Sequence, residues 1–308
     1  MIDTRKSIAL SILHDELNIV PTAISRFTTG YCHSVYHVKT KTDEYVLRIT
    51  SEDNKGFYYG SIKWLSELLH LGLPVPKILN HGQYNDVYFV FMTYIPGKDL
   101  GEVYHMLNDS QKHGIAKSLS EIQKKVSTLP SIAKYGYDDY SFDTWACYLE
   151  SHIELSRKRI AGNKVFDTDV CDKVFCAMKQ FQDYLQNVEL LAFLDDTTTK
   201  NVLIQDGKLA GIVDVDQICY GDSLLVIGLT NMALLGMKAD TKYIDFWLDE
   251  LNATPIQRKI VIFYTLLFCI DFMGEQGMKF DNGKVISIDD EKIVLLKSTY
   301  NKLLGSLS

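Results

Sequence analysis

Short apolar runs separated by polar turns characterise the N-terminal third of the chain. Residues 24–27, 35–38 and 45–49 are rich in β-branched and aromatic side chains, and turn-forming residues stand between them. This pattern is typical of a strand meander. Apolar residues then recur at helical spacing over residues 57–71, and a continuous apolar run at 87–92 predicts a further strand.

The pattern changes after Gly97, where helical periodicity dominates. We expect helices over residues 100–127, 143–158, 166–187, 222–236, 241–251, 255–273 and 289–304. A hairpin interrupts them, because two apolar runs, 201–204 and 209–215, flank the turn residues Asp206 and Gly207. The sequence therefore predicts an α+β chain with a strand-rich N-terminal lobe at 1–92, a hinge at 93–99 and a helical C-terminal lobe at 100–308.

Composition narrows the class of protein. The 308 residues are 46% hydrophobic and 23% charged, so the chain can bury a core and does not resemble a disordered protein. Lys and Arg number 32 against 39 Asp and Glu, and the resulting charge of −7 argues against nucleic acid as a partner. A cationic substrate is easier to accommodate. The apolar stretch at 260–270 is too short to span a bilayer, so we expect no membrane partner.

The placement of cysteine and histidine excludes further classes. The six cysteines are scattered without a CxxC pair, which indicates reduced thiols in a cytoplasmic protein. All eight histidines lie at or before His152, and the sequence has neither HExxH nor GxSxG followed by a histidine. Any general base in the second half of the chain is therefore expected to be a carboxylate.

Residues 190–222 contain the densest set of candidate catalytic side chains. Asp196 and Asn201 are five residues apart, and Asp214 follows after the hairpin. Phosphoryl transfer uses such a set, since one carboxylate accepts the hydroxyl proton and other oxygen atoms bind Mg²⁺ on the nucleotide phosphates. The alternative is a polar loop in which Asp195 or Asp196 only caps a turn.

Several segments resemble one enzyme family. The pattern D-x-x-x-x-N-V-L-I, followed by G-I-V-D and Y-G-D, is similar to the aminoglycoside phosphotransferase and choline kinase-like family, which has the protein-kinase fold. TTGYCHSVYHV resembles its phosphate-covering hairpin, YVLRI its third strand, GLPVPKIL the segment after the small-lobe helix, and VFMTYIPG the hinge that receives adenine. The resemblance extends over nearly the whole chain. It implies a bilobal α+β protein-kinase-like fold with a small β-rich N-lobe and a larger, mainly helical C-lobe.

The resemblance also implies roles for single residues. Asp196 would be the catalytic base, and Asn201 and Asp214 would hold Mg²⁺. The implied nucleotide-binding positions are the side chain of Arg48, the turn residues Gly30 and Ser34, and the backbones of Thr93 and Ile95. The alternative for Arg48 is an exposed strand residue.

Other polar residues receive weaker assignments. Asp222, in Y-G-D, is expected to cap the following helix. Asp271 and Glu275, on a late helix, are candidate acceptor-binding residues, and the alternative is that they mark the solvent edge of that helix.

Departures from the family pattern concern the catalytic machinery. Leu194 and Asp195 stand where the family usually has His-Gly, so the loop must be held differently. The basic residue of the third strand is Arg48 rather than lysine, which retains the charge and can bind phosphate through two N–H groups. The family's helix glutamate, which would pair with it, falls at about Ser61, with Glu67 elsewhere on the same helix.

We therefore expect a cytoplasmic, Mg²⁺-dependent O-phosphotransferase. It would move the γ-phosphate of ATP or GTP to a hydroxyl of an aminoglycoside or a similar amino or sugar compound. A metabolic kinase of the same family, acting on choline, homoserine or a fructosamine-like acceptor, is one alternative. A nucleotide-binding pseudokinase is the other, favoured by the missing histidine and helix glutamate. Retention of Asp196, Asn201 and Asp214 together favours an enzyme.

Overall fold

Two compact units make up the chain in the computed structural model, which describes residues 4–27, 33–279 and 285–307. The first unit contains the described residues up to Gly97 together with Ala210–Gln217. The second contains Lys98–Leu209, Ile218–Lys279 and the described residues from Val285 onwards. The short return of the chain to the first unit brings Asp214 among the N-terminal elements, which a linear division at residues 93–99 does not include.

Antiparallel strands form the centre of the first unit. They are β1 (Ala23–Arg26), β2 (Ser34–Lys39), β3 (Glu44–Ser51), β4 (Ile78–Tyr84) and β5 (Val87–Thr93), in the spatial order β1-β2-β3-β5-β4. The helices of this unit are α1 (Thr4–Ser11), extended by a π-turn at Ile12–Glu16, and α2 (Lys55–His70), preceded by a 3₁₀ turn at Glu52–Asn54.

The alternation of side chains along β3 separates the two faces of this sheet. Leu47 and Ile49 belong to the apolar cluster that includes residues of α1. Val46 packs on the opposite side, in the cluster that contains Tyr58 of α2. Because successive side chains of a strand point to opposite faces, Arg48 shares the face of Val46. A basic residue is thereby buried on the face of the sheet that packs against α2.

Helices dominate the second unit. They are α3 (Leu100–Val103), α4 (Asp109–Val126), α5 (Trp145–Asn163), α6 (Asp169–Lys179), α7 (Gln182–Leu185), α8 (Leu224–Gly236), α9 (Lys242–Glu250), α10 (Pro255–Gly274) and α11 (Asp290–Ser306). Helix α10 is buried along most of its length and contacts α5, α6, α8 and α11, as expected for a helix that is apolar on nearly all sides. A capping box of Thr254 and Gln257 begins it, with Pro255 at its first position.

Short paired strands of the second unit position the loop at residues 194–201. Strand β9 (Leu191–Phe193) leads into the loop and pairs with β12 (Cys219–Gly221), which also pairs with β7 (Tyr135–Gly136) beside β8 (Ser141–Phe142). After the loop, β10 (Val202–Gln205) pairs with β6 (Lys98–Asp99). A tight turn then leads to β11 (Lys208–Ile212), with positive φ at Asp206 and Gly207 as a two-residue hairpin requires.

Most predicted elements are present, but some predictions were wrong in detail. The helix predicted over 100–127 divides into α3, a 3₁₀ turn at Tyr104–Met106 and α4, and the one over 166–187 divides into α6 and α7. Asn108 caps α4 by accepting the N–H of Gln111. Within the described ranges, no helix combines the length and apolarity needed to cross a bilayer.

Candidate active site

Arg48 is a buried cation with two carboxylate partners. Its side chain is only 4% exposed. The Nη1 group donates to Oδ1 of Asp216 at 2.5 Å and to Oδ1 of Asp214 at 3.3 Å. Both carboxylates belong to the Ala210–Gln217 segment of the same unit. The alternative of an exposed strand residue is therefore wrong, and two of the residues that the sequence singled out, Arg48 and Asp214, are in contact.

The two remaining nitrogens of the Arg48 guanidinium, Nε and Nη2, are suited to an anionic ligand. Among the residues that the structure describes, neither Nε nor Nη2 has a hydrogen-bond partner, although both are buried. Leaving a buried donor without an acceptor costs about 1–3 kcal/mol, and more for a charged group. Two N–H groups fixed in one plane match the oxygen atoms of a phosphate. A bound phosphate would accept hydrogen bonds from these donors and so remove the free-energy cost of burying them without acceptors.

Asp214 has a backbone conformation that few non-glycine residues adopt. Its φ is +60°, in the left-handed region, where aspartate is tolerated better than most residues. The side chain is 45% exposed. Desolvation by the surrounding protein and the charge of Asp216 raise the pKa of Asp214, while Arg48 and His33 oppose the rise. A strained backbone thus holds a carboxylate whose negative charge a bound cation would stabilise.

Asp216 is the ion-pair partner of Arg48, in place of the glutamate that the family has on the helix corresponding to α2. Burial works against its ionised form, but the charge of Arg48 and the hydrogen bond with His33 lower the pKa of Asp216. Helix α2 reaches this segment at Gly60, where a Cβ would overlap with the carbonyl oxygen of Asp216. The helix therefore passes directly against the backbone of the segment. The ion-pair partner of Arg48 comes from that segment and not from the position near Ser61.

His33 joins the same cluster, although the sequence analysis did not single it out. Its Nε2 lies 2.9 Å from Oδ2 of Asp216, and its Nδ1 lies 3.0 Å from Oγ1 of Thr50. One ligand atom from each of His33, Asp214 and Asp216 lies within 4.8 Å of the others, a spacing that a metal ion could occupy. The sequence could have indicated Asp216, because it lies two residues after Asp214. His33 lies far from both in sequence and had no such signal.

The predicted positions at the start of β2 have different environments. Gly30 lies outside the described residues. Ser34 is buried, and its hydroxyl accepts hydrogen bonds from Arg5 and Arg26. Both contacts use the hydroxyl oxygen as an acceptor, so the O–H group remains able to donate.

The residues predicted to contact the nucleobase of the nucleotide, Thr93 and Ile95, lie at and just after the end of β5. The N–H of Thr93 donates to the carbonyl of Lys77 at 2.9 Å. The side chain of Ile95 packs on Gly211, where a Cβ would lie 2.7 Å from Cδ1 of Ile95. The absence of a side chain at Gly211 thus allows the Ala210–Gln217 segment to pack against residue 95 within the first unit.

Asp196 and Asn201 share one loop of the second unit. The Asp196 side chain is exposed, and its Oδ1 accepts a hydrogen bond from Oγ1 of Thr198 at 2.9 Å. Asn201 is buried and donates from Nδ2 to the backbone carbonyl of Asp196 at 3.1 Å. The nitrogen of the amide is thus committed to the loop, so Oδ1 is the atom of Asn201 that could bind a metal. The loop presents a carboxylate to solvent while its backbone is held, as a general base requires.

A glutamine from α4 holds the beginning of this loop, where the family usually has a histidine. The Gln123 side chain bonds both backbone groups of Leu194. The hydroxyl of Tyr137 donates to Oδ2 of the next residue, Asp195. The sequence could not reveal these contacts, because 71 residues separate Gln123 from Leu194 and 58 separate Tyr137 from Asp195.

Asp222 has a structural role, as the sequence indicated. Its Oδ1 accepts the N–H of Leu224 at the start of α8. Its Oδ2 accepts hydrogen bonds from the hydroxyls of Tyr184 and Tyr264, each at 2.8 Å. Burial raises the pKa of Asp222, although these hydrogen bonds oppose the rise.

The two candidate acceptor residues, Asp271 of α10 and Glu275 directly after its end, have different electrostatic surroundings. Asp271 is paired with Arg159, whose Nη1 lies 2.6 Å from Oδ1, and it also receives a hydrogen bond from Ser156. Although burial opposes it, His152 and Arg159 lower the pKa of Asp271. Burial and the charge of Asp271 raise the pKa of Glu275 to about 7. The pair therefore offers much less free negative charge than two solvated carboxylates would.

The sequence has relatives among known proteins. The model of a family described as phosphotransferase enzyme family matches residues 23–244. A protein of Staphylococcus aureus named probable ketoamine kinase is 23% identical over 220 residues, which cover 68% of this chain and 73% of that protein.

Solved structures resemble nearly the whole chain. The GDP complex of an aminoglycoside 2'-phosphotransferase-IIIa mutant matches with a TM-score of 0.74 and 15% identity, covering 98% of this chain and 99% of the other. A thermostable mutant of aminoglycoside phosphotransferase APH(4)-Ia, in complex with AMP-PNP and hygromycin B, matches with a TM-score of 0.64 and 14% identity, covering 97% and 98%. At these identities the likeness concerns the fold, and it confirms the α+β protein-kinase-like fold expected from the sequence.

Proposed function

Because the chain belongs to the phosphotransferase enzyme family, we propose that it transfers the γ-phosphoryl group of ATP or GTP to a hydroxyl of a small amino-sugar compound, with Mg²⁺ as the required cation. The observation that carries the proposal is the loop at residues 194–201. It presents the carboxylate of Asp196 to solvent and fixes its backbone through Asn201. A pseudokinase has no need of such an arrangement.

The nucleotide is assigned to the first unit. Arg48 would bind phosphate oxygens through Nε and Nη2, the two buried groups without a partner among the described residues. Gly30 and Ser34 would line the turn that covers the phosphates. The backbones of Thr93 and Ile95, in the proposed hinge at residues 93–99, would meet the base.

The residues assigned to Mg²⁺ fit its chemistry. Mg²⁺ takes oxygen ligands, retains several waters and is held through one or two side chains together with nucleotide phosphates. Asp214 offers an exposed carboxylate whose ionised form lacks full compensation, and Asn201 offers its amide oxygen. When bound, the ion would neutralise charge on the transferring phosphoryl group.

Asp196 is assigned the role of general base. The acceptor hydroxyl oxygen would form a bond to the γ-phosphorus as the bond from that phosphorus to the β–γ bridging oxygen breaks. The hydroxyl proton passes to the Asp196 carboxylate. The products are a phosphomonoester and a nucleoside diphosphate, and orientation of the hydroxyl supplies much of the rate.

A ketoamine, meaning a sugar joined to an amine, is the acceptor class that we place first. The relative from Staphylococcus aureus, named as a probable ketoamine kinase, supports this choice. Asp271 and Glu275 support it too, because Asp271 is already paired with Arg159 and burial raises the pKa of Glu275 to about 7. A polycationic aminoglycoside would gain little from that pair. Aminoglycosides remain the second candidate, on the likeness to solved aminoglycoside phosphotransferases.

A transfer assay with the full chain tests the proposal. The protein, Mg²⁺ and ATP or GTP are combined separately with a fructosyl amine, an aminoglycoside, choline and homoserine, and phosphate on each acceptor is detected by phosphorus NMR. We expect the fructosyl amine to be phosphorylated. Transfer to an aminoglycoside alone would establish the second candidate. Nucleotide binding with no transfer to any acceptor and no nucleotide hydrolysis would contradict an enzymatic function.

The variant Asp196→Asn tests the assignment of the base. It should lower kcat by about 10²- to 10⁴-fold with little change in nucleotide affinity or melting temperature. The matched control is Asp206→Asn, an exposed aspartate in the β10–β11 turn, which should retain full activity. If Asp196 only capped a turn, its variant would lose about 0.5–2 kcal/mol of stability and keep a normal kcat.

A further inference from the structure

The loop that carries Asp196 is held on both sides of that residue by a single side chain. Gln123 of α4 donates from Nε2 to the carbonyl of Leu194 at 2.8 Å, and its Oε1 accepts the N–H of Leu194 at 2.9 Å. The same Nε2 donates to Oγ1 of Thr197 at 3.3 Å. Leu194 is two residues before Asp196 and Thr197 is one residue after it, so Gln123 spans the catalytic position.

The chemistry of this contact requires a carboxamide. The carboxamide pairs with the backbone N–H and C=O of one residue, as two residues of neighbouring antiparallel strands do, with a donor and an acceptor side by side. Both N–H groups of Nε2 and the oxygen of Gln123 are used, which accounts for every strong hydrogen-bonding group of the side chain. The residue is 7% exposed, so water cannot readily replace the lost partners. The donor and the acceptor of the Gln123 carboxamide are therefore both engaged by the loop.

At the beginning of the loop, Tyr137 bonds the side chain of Asp195, and Gln123 bonds the backbone of Leu194. Asn201 holds the carbonyl of Asp196, and the carbonyl of Thr199 accepts the N–H of Gly101 at 2.8 Å. These contacts hold the second half of the loop. The Leu194 peptide determines the direction in which the chain enters it from β9.

We propose that Gln123 is the positioning residue for the Asp196 carboxylate, in the role that the sequence leaves open by having Leu194 where the family usually has histidine. The inference rests on the proposed function, because it assumes that Asp196 is the base. Without Gln123, the Leu194 peptide and Thr197 are released, and Asp196 moves relative to the acceptor hydroxyl. A displacement of about 1 Å at a catalytic group can cost on the order of 10²-fold in rate.

The test compares Gln123→Met with wild type in steady-state kinetics of the full chain, with Mg²⁺, nucleotide and a fructosyl amine as acceptor. Methionine keeps the length of the side chain and removes all three hydrogen bonds. We expect kcat to fall by roughly 10- to 100-fold, with the KM for nucleotide within about twofold. Gln123→Glu is a second variant for the case that Gln123→Met does not fold. It keeps an acceptor for the N–H of Leu194 but offers no donor, so kcat should fall there too.

A control variant separates positioning from general destabilisation. Tyr300→Phe removes a hydrogen bond from a buried tyrosine to the carbonyl of Val170, and both residues lie outside the loop. We expect a lower melting temperature with unchanged kcat. If Gln123→Met lowers the melting temperature but leaves kcat of the folded protein as unaffected as the control does, the positioning role is wrong.

A double variant shows whether Gln123 acts through Asp196. With Asp196→Asn already present, Gln123→Met should change kcat by less than about twofold, since the group it positions has gone. An undiminished effect in that background would overturn the proposal while leaving the proposed function intact. A normal kcat for Asp196→Asn alone would instead remove the base assignment, and the positioning role with it.

Discussion

Replacement of Arg48 by methionine tests whether its buried N–H groups form a phosphate site. Methionine retains an unbranched stem and removes the guanidinium. Removing one partner of a buried ion pair costs about 3–5 kcal/mol. The same change removes two buried groups, Nε and Nη2, that lack acceptors among the described residues. Each such group costs the folded protein about 1–3 kcal/mol, so the two effects oppose each other.

The change in the free energy of unfolding caused by Arg48→Met should depend on whether nucleotide is bound. Without nucleotide, the cost of breaking the ion pair, about 3–5 kcal/mol, is opposed by a gain of about 2–6 kcal/mol from the two relieved groups. The free energy of unfolding should therefore change by no more than about 3 kcal/mol in either direction. A ligand at 100 times its Kd adds about 2.7 kcal/mol to the stability of the protein that binds it. If phosphate binds the Arg48 groups, the variant should lose at least tenfold in nucleotide affinity, or about 1.4 kcal/mol of that gain.

Urea unfolding with and without Mg²⁺ and nucleoside diphosphate measures both quantities. Arg157→Met is the matched control, because Arg157 also contacts two carboxylates, Glu154 and Asp172, but is 27% exposed. It should change stability by no more than about 1 kcal/mol and leave the effect of nucleotide intact. Arg48 does not bind the phosphates if nucleotide stabilises Arg48→Met as much as it stabilises the wild type.

Two further predictions concern Asp214 and Glu275. Asp214→Asn should fold normally, because asparagine tolerates a φ of +60°, but its turnover should no longer respond to a Mg²⁺ titration; a wild-type response would place the metal elsewhere. Burial raises the pKa of Glu275 to about 7. The contribution of the protonated carboxyl to the free energy of unfolding is therefore complete below the ordinary pKa of glutamate and is lost as the pH rises through about 7. Glu275→Gln should therefore match the wild type near pH 4 and exceed its stability above pH 7, by up to about 3 kcal/mol in urea unfolding; equal stability at both pH values would contradict the buried carboxyl.

The sequence by itself determined the elements with strong periodicity and the residues with local signals. The alternating runs at 35–38 and 45–49 are strands, and the apolar run that ends at residue 273 is the buried helix α10. Asp196 and Asn201 could be placed in one loop because a strand and a hairpin flank them. The sequence predicted the ends of the helices less well. Residues 166–187 were predicted as one helix, but they form two, α6 and α7. Helical spacing continues across such a break and does not report it.

Only the tertiary structure decided which groups meet. Arg48 and Asp216 are 168 residues apart, and Gln123 and Leu194 are 71 residues apart, so neither contact leaves a periodic trace in the sequence. The fold removed the need for a glutamate on α2 by bringing the Asp216 backbone against Gly60. It removed the need for a histidine at residue 194 by placing a glutamine on a neighbouring helix. Burial decides these pairings, because a buried charge or peptide must find a partner wherever the packed chain offers one.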